Sequence, residues 1–455
     1  MSFVRSKRYR WVVLGMGFLA VFGALGFGRF GYSAILPSMQ KDLGIKTQAA
    51  GSLASWNLAG YVIMATIGGM LASRFGARKV VAVGSIVAAA GMLLTGLSTG
   101  MVTASAGRLI TGLGGGGVLV PSVALMSAWF DVRRRGMASG IVSSGSSLAL
   151  VIAGPVVPLI IGAGGVHGWR LAWYFFAALT FLVGILTIAF QRDRPHAAAP
   201  KVRAARSSRP PIDYKSVLRS RYAWHLGVVY GMFGFAYIVF FTYFQKRLQT
   251  DLGFSPARAG DFFLILGVFS IFCGVIWGTV SDRVGRGRAL AVMFLLQAVA
   301  AVLFAWWPTT PGLVLSAALF GVTSIAVPGI MGAACGDQFG PVMASTSLGM
   351  ITVFLGIGQV LGPILGGRLA DSHHTLKYSY LMAAAVFLVG AVLAAFLRET
   401  GWRTAVGARQ VESLSQPVGP APAKSIPPPD AQPAELAFEA GIDSQIAEEI
   451  APKED

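Results

Sequence analysis

Residues 69–79 read GMLASRFGARK and residues 278–288 read GTVSDRVGRGR, so that Gly69, Arg74 and Gly76 recur as Gly278, Arg283 and Gly285 at an offset of 209. Upstream, Asp42-Leu43-Gly44 and Ala50-Gly51 recur as Asp251-Leu252-Gly253 and Ala259-Gly260 at the same offset. Downstream, Gly154-Pro155 recurs as Gly362-Pro363 at an offset of 208. Three anchors at nearly one spacing mark an internal repeat that divides the chain into two similar halves in parallel register.

The segments between these anchors are apolar. Hydrophobic residues make up 55% of the chain and charged residues only 12%, against about one quarter charged in a soluble domain. Twelve apolar stretches are legible, at 12–36, 48–72, 79–98, 101–130, 137–162 and 169–190, then 224–244, 258–280, 288–306, 311–334, 344–370 and 379–397. As helices they are long enough to cross a hydrocarbon core of about 30 Å. The expectation is an all-α membrane protein with two pseudo-symmetric six-helix halves, 1–190 and 224–398, a connection at 191–223 and a disordered cytoplasmic tail at 399–455. The tail contains Pro427, Pro428 and Pro429 with several acids, a composition too polar to build a core. Arg5, Lys7, Arg8 and Arg10 precede the first stretch, which is too long for a signal peptide and shows no small-residue cleavage site.

A net charge of +18 has a membrane explanation and calls for no nucleic-acid partner. Lys and Arg mark the cytoplasmic side. With the N-terminus inside, inner loops carry Arg74, Arg78 and Lys79, Arg133 to Arg135, Arg283, Arg286 and Arg288, and a dense set from Arg192 to Arg221. Outer loops carry fewer: Lys41, Lys46, Lys246, Arg247, Arg258 and Lys377. Both termini are therefore expected in the cytoplasm. Cys273 and Cys335 fall in apolar stretches and suit neither a disulfide nor a metal site. No phosphate-binding loop, nucleophile triad or paired acids within the helices suggest an enzyme, an ATP-driven pump or a bound cofactor.

The loop Gly278-x-x-x-Asp282-Arg283-x-Gly285-Arg286 resembles a signature of the major facilitator superfamily, and its first-half copy keeps Gly69, Arg74, Gly76 and Arg78 but has Ser73 in place of the acid. Arg108-x-x-x-Gly112-x-Gly114-x-Gly116 in the fourth stretch and Gly154-Pro155 and Gly362-Pro363 in the fifth and eleventh resemble further motifs of that family, as, more weakly, does Trp169-Arg170. The resemblance implies two parallel halves enclosing a midplane site, a gating role for the two loops, hinges at the two Gly-Pro pairs, a monomer, and movement of a small molecule with protons across a bacterial inner membrane. Topogenic charge is the plainer account of the two loops. Gly28-Arg29-Phe30-Gly31-Tyr32 with Leu36-Pro37 resembles the first helix of a bacterial branch of the superfamily.

Arg29 is the most informative residue, because a guanidinium within a membrane helix needs a partner or water. Counted from the outer end of the first stretch it lies roughly 10 Å deep, and Arg108 reaches a similar level. Neither cation recurs at the 209 offset, where Ile238 and Ala317 stand. Two cations with few nearby acids suit an anion, since Arg pairs with carboxylates through two hydrogen bonds; equally, such an arginine can fix neighbouring helices through backbone carbonyls. Asn57 lies at a similar depth, and Tyr230 and Tyr237, seven apart, share one helix face. Gln297 and Gln359 are polar at membrane depth and could line the site or bond helix to helix. Asp261 is the candidate for proton coupling, with helix capping as its alternative. The expected function is proton-coupled symport of a small organic anion of the monocarboxylate kind. The alternatives are a proton-driven drug or metabolite exporter and a membrane sensor that binds without transporting.

Overall fold

The computed structural model describes residues 8–130, 132–193 and 214–397, and every regular element among them is a helix. Most of the expected 191–223 connection and the whole 399–455 tail lie outside the described residues. The first six helices are α1 (Tyr9–Leu43), α2 (Thr47–Phe75), α3 (Ala77–Leu97), α4 (Met101–Trp129), α5 (Val132–Gly164) and α6 (Gly168–Phe190). After a short helix at Tyr214–Arg219, the six further long helices are α7 (Arg221–Asp251), α8 (Pro256–Val284), α9 (Arg286–Trp306), α10 (Thr310–Phe339), α11 (Ser347–His373) and α12 (Lys377–Ala395). All are apolar and long enough to cross a bilayer, with α5 and α6 joined in one continuous apolar run.

Neighbour contacts separate the helices that run together. Val142 and Ala149 of α5 meet Gly17 and Gly26 of α1 in ascending order, whereas Thr180 and Phe176 of α6 meet Gly23 and Gly31 in descending order. Hence α5 runs with α1 and α6 against it, reversing at a turn where Gly165 adopts φ +58°. Helical geometry also continues from α10 into α11. Yet a methyl group at Gly332 would lie 3.5 Å from Leu348 Cδ2, residues that a straight helix would hold about 24 Å apart. The chain therefore folds back between them.

The repeat is visible in backbone geometry. Gly44 and Gly253 adopt φ +62° and +69°, and Gly76 and Gly285 adopt φ +92° and +98°. All four end helices in a region that side chains with a Cβ seldom enter. Asp42, closing α1, accepts the Trp169 indole N–H at 2.6 Å at the start of α6. Its repeat partner Asp251, closing α7, accepts the Leu376 N–H at 2.7 Å just before α12. Helix α4 is held close by its glycines: a Cβ at Gly112 would fall 1.9 Å from the Asn57 carbonyl on α2, and one at Gly114 2.3 Å from the Ala88 nitrogen on α3. Small residues allow such approach in membranes.

Helices α1 and α7 run furthest past their expected C-terminal ends. Helix α1 continues through Pro37 to Leu43 and contains a π-helical segment, Phe22–Phe30. Helix α7 continues through a π turn, Arg247–Asp251. Lys246 and Arg247, counted above as outer-loop charges, are instead buried within α7. Arg247 satisfies itself on the Phe304 and Ala305 carbonyls of α9 at 3.0 and 2.8 Å, which lets a charge close a helix inside the bundle.

Candidate functional site

Arg29 lies in the last turn of the π segment of α1, a local widening often found where a helix carries function. Because α1 runs on to Leu43, Arg29 stands about 20 Å from that end rather than 10 Å. Its side chain crosses to the other half, donating to the Tyr237 hydroxyl on α7 at 3.2 Å and to Gln359 Oε1 on α11 at 3.4 Å. Its Cζ lies 4.6 Å from the centroid of the Tyr61 ring on α2. The Nε is buried and has no hydrogen-bond partner. Four helices from both halves thus meet at one guanidinium held only by long bonds to neutral groups and a ring face.

Aromatic rings surround this point. Phe30 meets Phe241 of α7 at 4.7 Å across the halves. On α7, Tyr237 contacts Phe241 at 5.3 Å and stacks on Phe233 at 4.7 Å, which in turn stacks on Tyr230 at 6.3 Å. Positions 230, 233, 237 and 241 follow the helical repeat and form one ladder.

Arg108 has a different environment. It is 1% exposed, donates to the Gly28 carbonyl of α1 at 2.5 Å and the Leu53 carbonyl of α2 at 3.3 Å, and lies 4.4 Å from the Tyr32 ring centroid and 5.4 Å from that of Trp173. Asn57 donates to the Arg108 carbonyl at 3.2 Å. These two residues knit α1, α2 and α4 together within the first half. Gln297 is fully buried and donates to the Thr323 carbonyl at 3.1 Å, joining α9 to α10 within the second half. Asp261 is exposed, and the N-terminus of α8 is capped by Ser255, whose hydroxyl accepts the Arg258 N–H at 3.3 Å.

Of the residues marked in the sequence, Arg29 is therefore in contact with Tyr237 and Gln359, with Tyr230 further along the ladder. Tyr61 joins them and was not marked. It stands four residues after Asn57 on α2, so helical spacing from that polar residue was the available signal.

The two repeated loops lie at one end of the bundle, the basic end. In the second half, Arg286 is pinned between Asp282 at 2.6 Å and Asp337 of α10 at 2.9 Å. In the first half, where Ser73 replaces the acid, Asp193 after α6 supplies a carboxylate that accepts the Arg78 N–H at 2.7 Å at the start of α3. Arg78 also donates to the Ile188 carbonyl. Arg74 is exposed beside Phe75.

At the opposite end the halves are tied directly. Asp371 of α11 accepts the Thr47 and Gln48 N–H groups of α2 at 3.0 and 2.8 Å. Lys246 of α7 reaches Gln40 Oε1 at 2.5 Å and Thr47 Oγ1 at 3.0 Å. A Cβ at Gly51 of α2 would fall 2.2 Å from the Pro363 carbonyl, which accepts the Tyr243 hydroxyl at 2.5 Å, so Gly362-Pro363 lies within this seam, and Gly154 packs on Gly260 between α5 and α8.

These features define a polytopic helical membrane protein with a repeated six-helix unit and a cation where its halves meet. The chain belongs to the major facilitator superfamily, whose family model matches residues 17–340 and 246–437. It is a transporter and not an enzyme, as its relatives are. One relative, described as a probable sulfoacetate transporter from Cupriavidus necator, is 24% identical over 85% of this chain and 94% of its own length. The hexuronate transporter of Bacillus subtilis is 25% identical over 83% and 92%. Monocarboxylate transporter 2 of Meriones unguiculatus is 24% identical over 84% and 82%. Among solved structures, a nucleoside transporter superposes with a TM-score of 0.68 at 15% identity, covering 85% of this chain and 99% of its own. The xylose transporter of E. coli, in a partially occluded inward-open conformation, gives 0.67 at 17% identity, covering 86% and 99%.

Proposed function

We propose that this chain carries a small organic monoanion together with a proton, by alternating access of its two halves to Arg29. The observation behind this reading is the electrostatic state of that side chain. Holding a guanidinium at membrane depth costs at least about 2.5 kcal/mol without a partner, and its contacts are a phenol, an amide oxygen and a ring face. The acids among the described residues, Asp42, Asp193, Asp251, Asp261, Asp282, Asp337 and Asp371, all stand near helix ends. A carboxylate arriving at the free Nε edge completes what the protein leaves incomplete.

Arg29, Tyr61, Tyr237 and Gln359 are the proposed substrate contacts, with Tyr230 on the same face. Arg108 and Asn57 act by positioning α1 and α2, and Gln297 by joining helices. Sulfoacetate, hexuronate and monocarboxylates, for which three relatives are named, are all organic acids, which supports an anionic substrate; the last two classes are monoanions, whereas sulfoacetate carries two charges. One proton moving with one monoanion makes the step electroneutral. A carboxylate paired with Arg29 cannot hold that proton as well, so we assign it to Asp261, exposed at the start of α8.

The basic end is proposed to be cytoplasmic, with both termini there, in a bacterial inner membrane. The bonds across the opposite end then describe a carrier closed to the outside, and the two Gly-Pro pairs serve as hinges at the moving seams. The substrate contacts all come from one chain, so a monomer suffices.

The test is gradient-driven uptake of labelled monocarboxylates into proteoliposomes, corrected for protein-free liposomes, comparing wild type with Arg29→Gln. Uptake by wild type that Arg29→Gln loses supports the proposal. Transport of neutral or cationic compounds that survives Arg29→Gln, with no acid carried, favours the exporter instead.

A further inference from the structure

The rings around Arg29 narrow the substrate class, an inference that rests on the anion reading above. Transport requires α1 and α7 to part. Around Arg29, parting breaks two contacts: the bond from Arg29 to Tyr237 and the Phe30–Phe241 ring contact at 4.7 Å. The ladder behind them then loses a neighbour at Phe241 and at Tyr237, which touch each other at 5.3 Å. A ligand that restores both contacts carries a carboxylate and, directly beside it, a flat ring.

Charge limits the class from the other side. Arg108 is committed to two carbonyls and two ring faces, so of these two cations it is Arg29 that keeps an unpartnered buried Nε. A second carboxylate on the ligand would be desolvated without a cation. Any apolar body fills space between rings, but only another ring reproduces stacked and edge-to-face geometry. We infer that the substrates are aromatic monocarboxylates, with the carboxylate on Arg29 and the ring between Phe30 of α1 and Phe241 of α7.

Benzoate and cyclohexanecarboxylate share charge, ring size and attachment, and differ in aromaticity. Their binding to the purified full-length protein, measured by titration calorimetry, isolates the claim. Benzoate should bind about tenfold more tightly, the value of one or two good ring contacts. Phe30→Leu and Phe241→Leu, which keep apolar bulk on either half, should each reduce the ratio to within about twofold, and Arg29→Gln should remove binding of both acids. Equal affinities in wild type, or a ratio unchanged in both leucine variants, would overturn the aromatic assignment while Arg29-dependent binding kept the anion reading intact. No binding of either acid to folded protein would overturn both.

Discussion

The carboxylate of Asp371 on α11 caps Thr47 at the start of α2, in the other half of the molecule, with Oδ1 3.0 Å from the Thr47 nitrogen. The second oxygen takes the Gln48 N–H at 2.8 Å. Helix α2 has no side-chain cap of its own, since Lys46 at the capping position provides none. The exposed amides and the helix dipole both favour an anion there, so the cap that most helices carry locally becomes a bond between halves.

Removing that charge should loosen the seam. Asp371→Asn keeps the shape but loses a charged acceptor, a change of about 1 kcal/mol or somewhat more for a helix cap. Ser55 of α2, which donates to the Val360 carbonyl of α11 at 2.6 Å, is a reporter buried between the halves. In a Ser55→Cys background, Asp371→Asn should raise labelling by a membrane-impermeant maleimide from the outside about five- to tenfold. An unchanged rate would mean the cap does not help hold the outer side closed.

The two membrane arginines should differ in what their loss does. Arg108→Gln frees two carbonyls on α1 and α2 and leaves Tyr32 and Trp173 without the cation between them. A buried hydrogen-bonded charge contributes about 1.5–3 kcal/mol per bond, so the melting temperature should fall by several degrees. Arg29→Gln loses only two long bonds to neutral partners and should melt at or above the wild-type temperature. A thermal scan in detergent decides this, and equal losses would contradict the separate roles.

At the basic end, the two acids beside Arg286 should contribute unequally. The Asp282 side chain is 59% exposed and that of Asp337 31%, while Arg286 itself is 9% exposed. An exposed partner is screened, with a median worth of about 0–1 kcal/mol. Asp282→Asn should therefore barely move the melting temperature, whereas Asp337→Asn should lower it clearly. The reverse order would make the loop acid the main support of Arg286.

Much of this architecture was legible because the repeat is local. Gly44, Gly76, Gly253 and Gly285 end helices at matching left-handed angles, and a glycine needs no distant partner to do so. Arg29 stood out because charge is rare in an apolar run. Its partners did not, since helix rotation is decided by neighbours, and Arg108, equally conspicuous, faces two carbonyls instead of the other half. Lys246 read as a loop charge because apolar length alone ended α7 too early. Asp371 showed no signal as a cap, because the amide it accepts lies 324 residues away.

The last prediction concerns the second seam, where Gly154 of α5 meets Gly260 of α8. A Cβ at Gly154 would sit 2.5 Å from the Gly260 carbonyl, and one at Gly260 2.1 Å from the Gly154 carbonyl. Both obstacles are backbone, so neither can rotate away, and overpacking of this kind costs about 1–3 kcal/mol. The cost arises only while the halves are closed at this end. Gly154→Ala should therefore favour the outward-open state, raising outside labelling of Ser55→Cys and slowing uptake. Gly260→Ala should do the same, and the double variant should exceed neither by much, because both act on one contact. Gly140 lies on the same helix with nothing within 4 Å of an added Cβ, so Gly140→Ala should leave both measurements at wild-type values. Were Gly154→Ala to label like Gly140→Ala, the close approach of α5 and α8 would be packing without a part in opening the carrier.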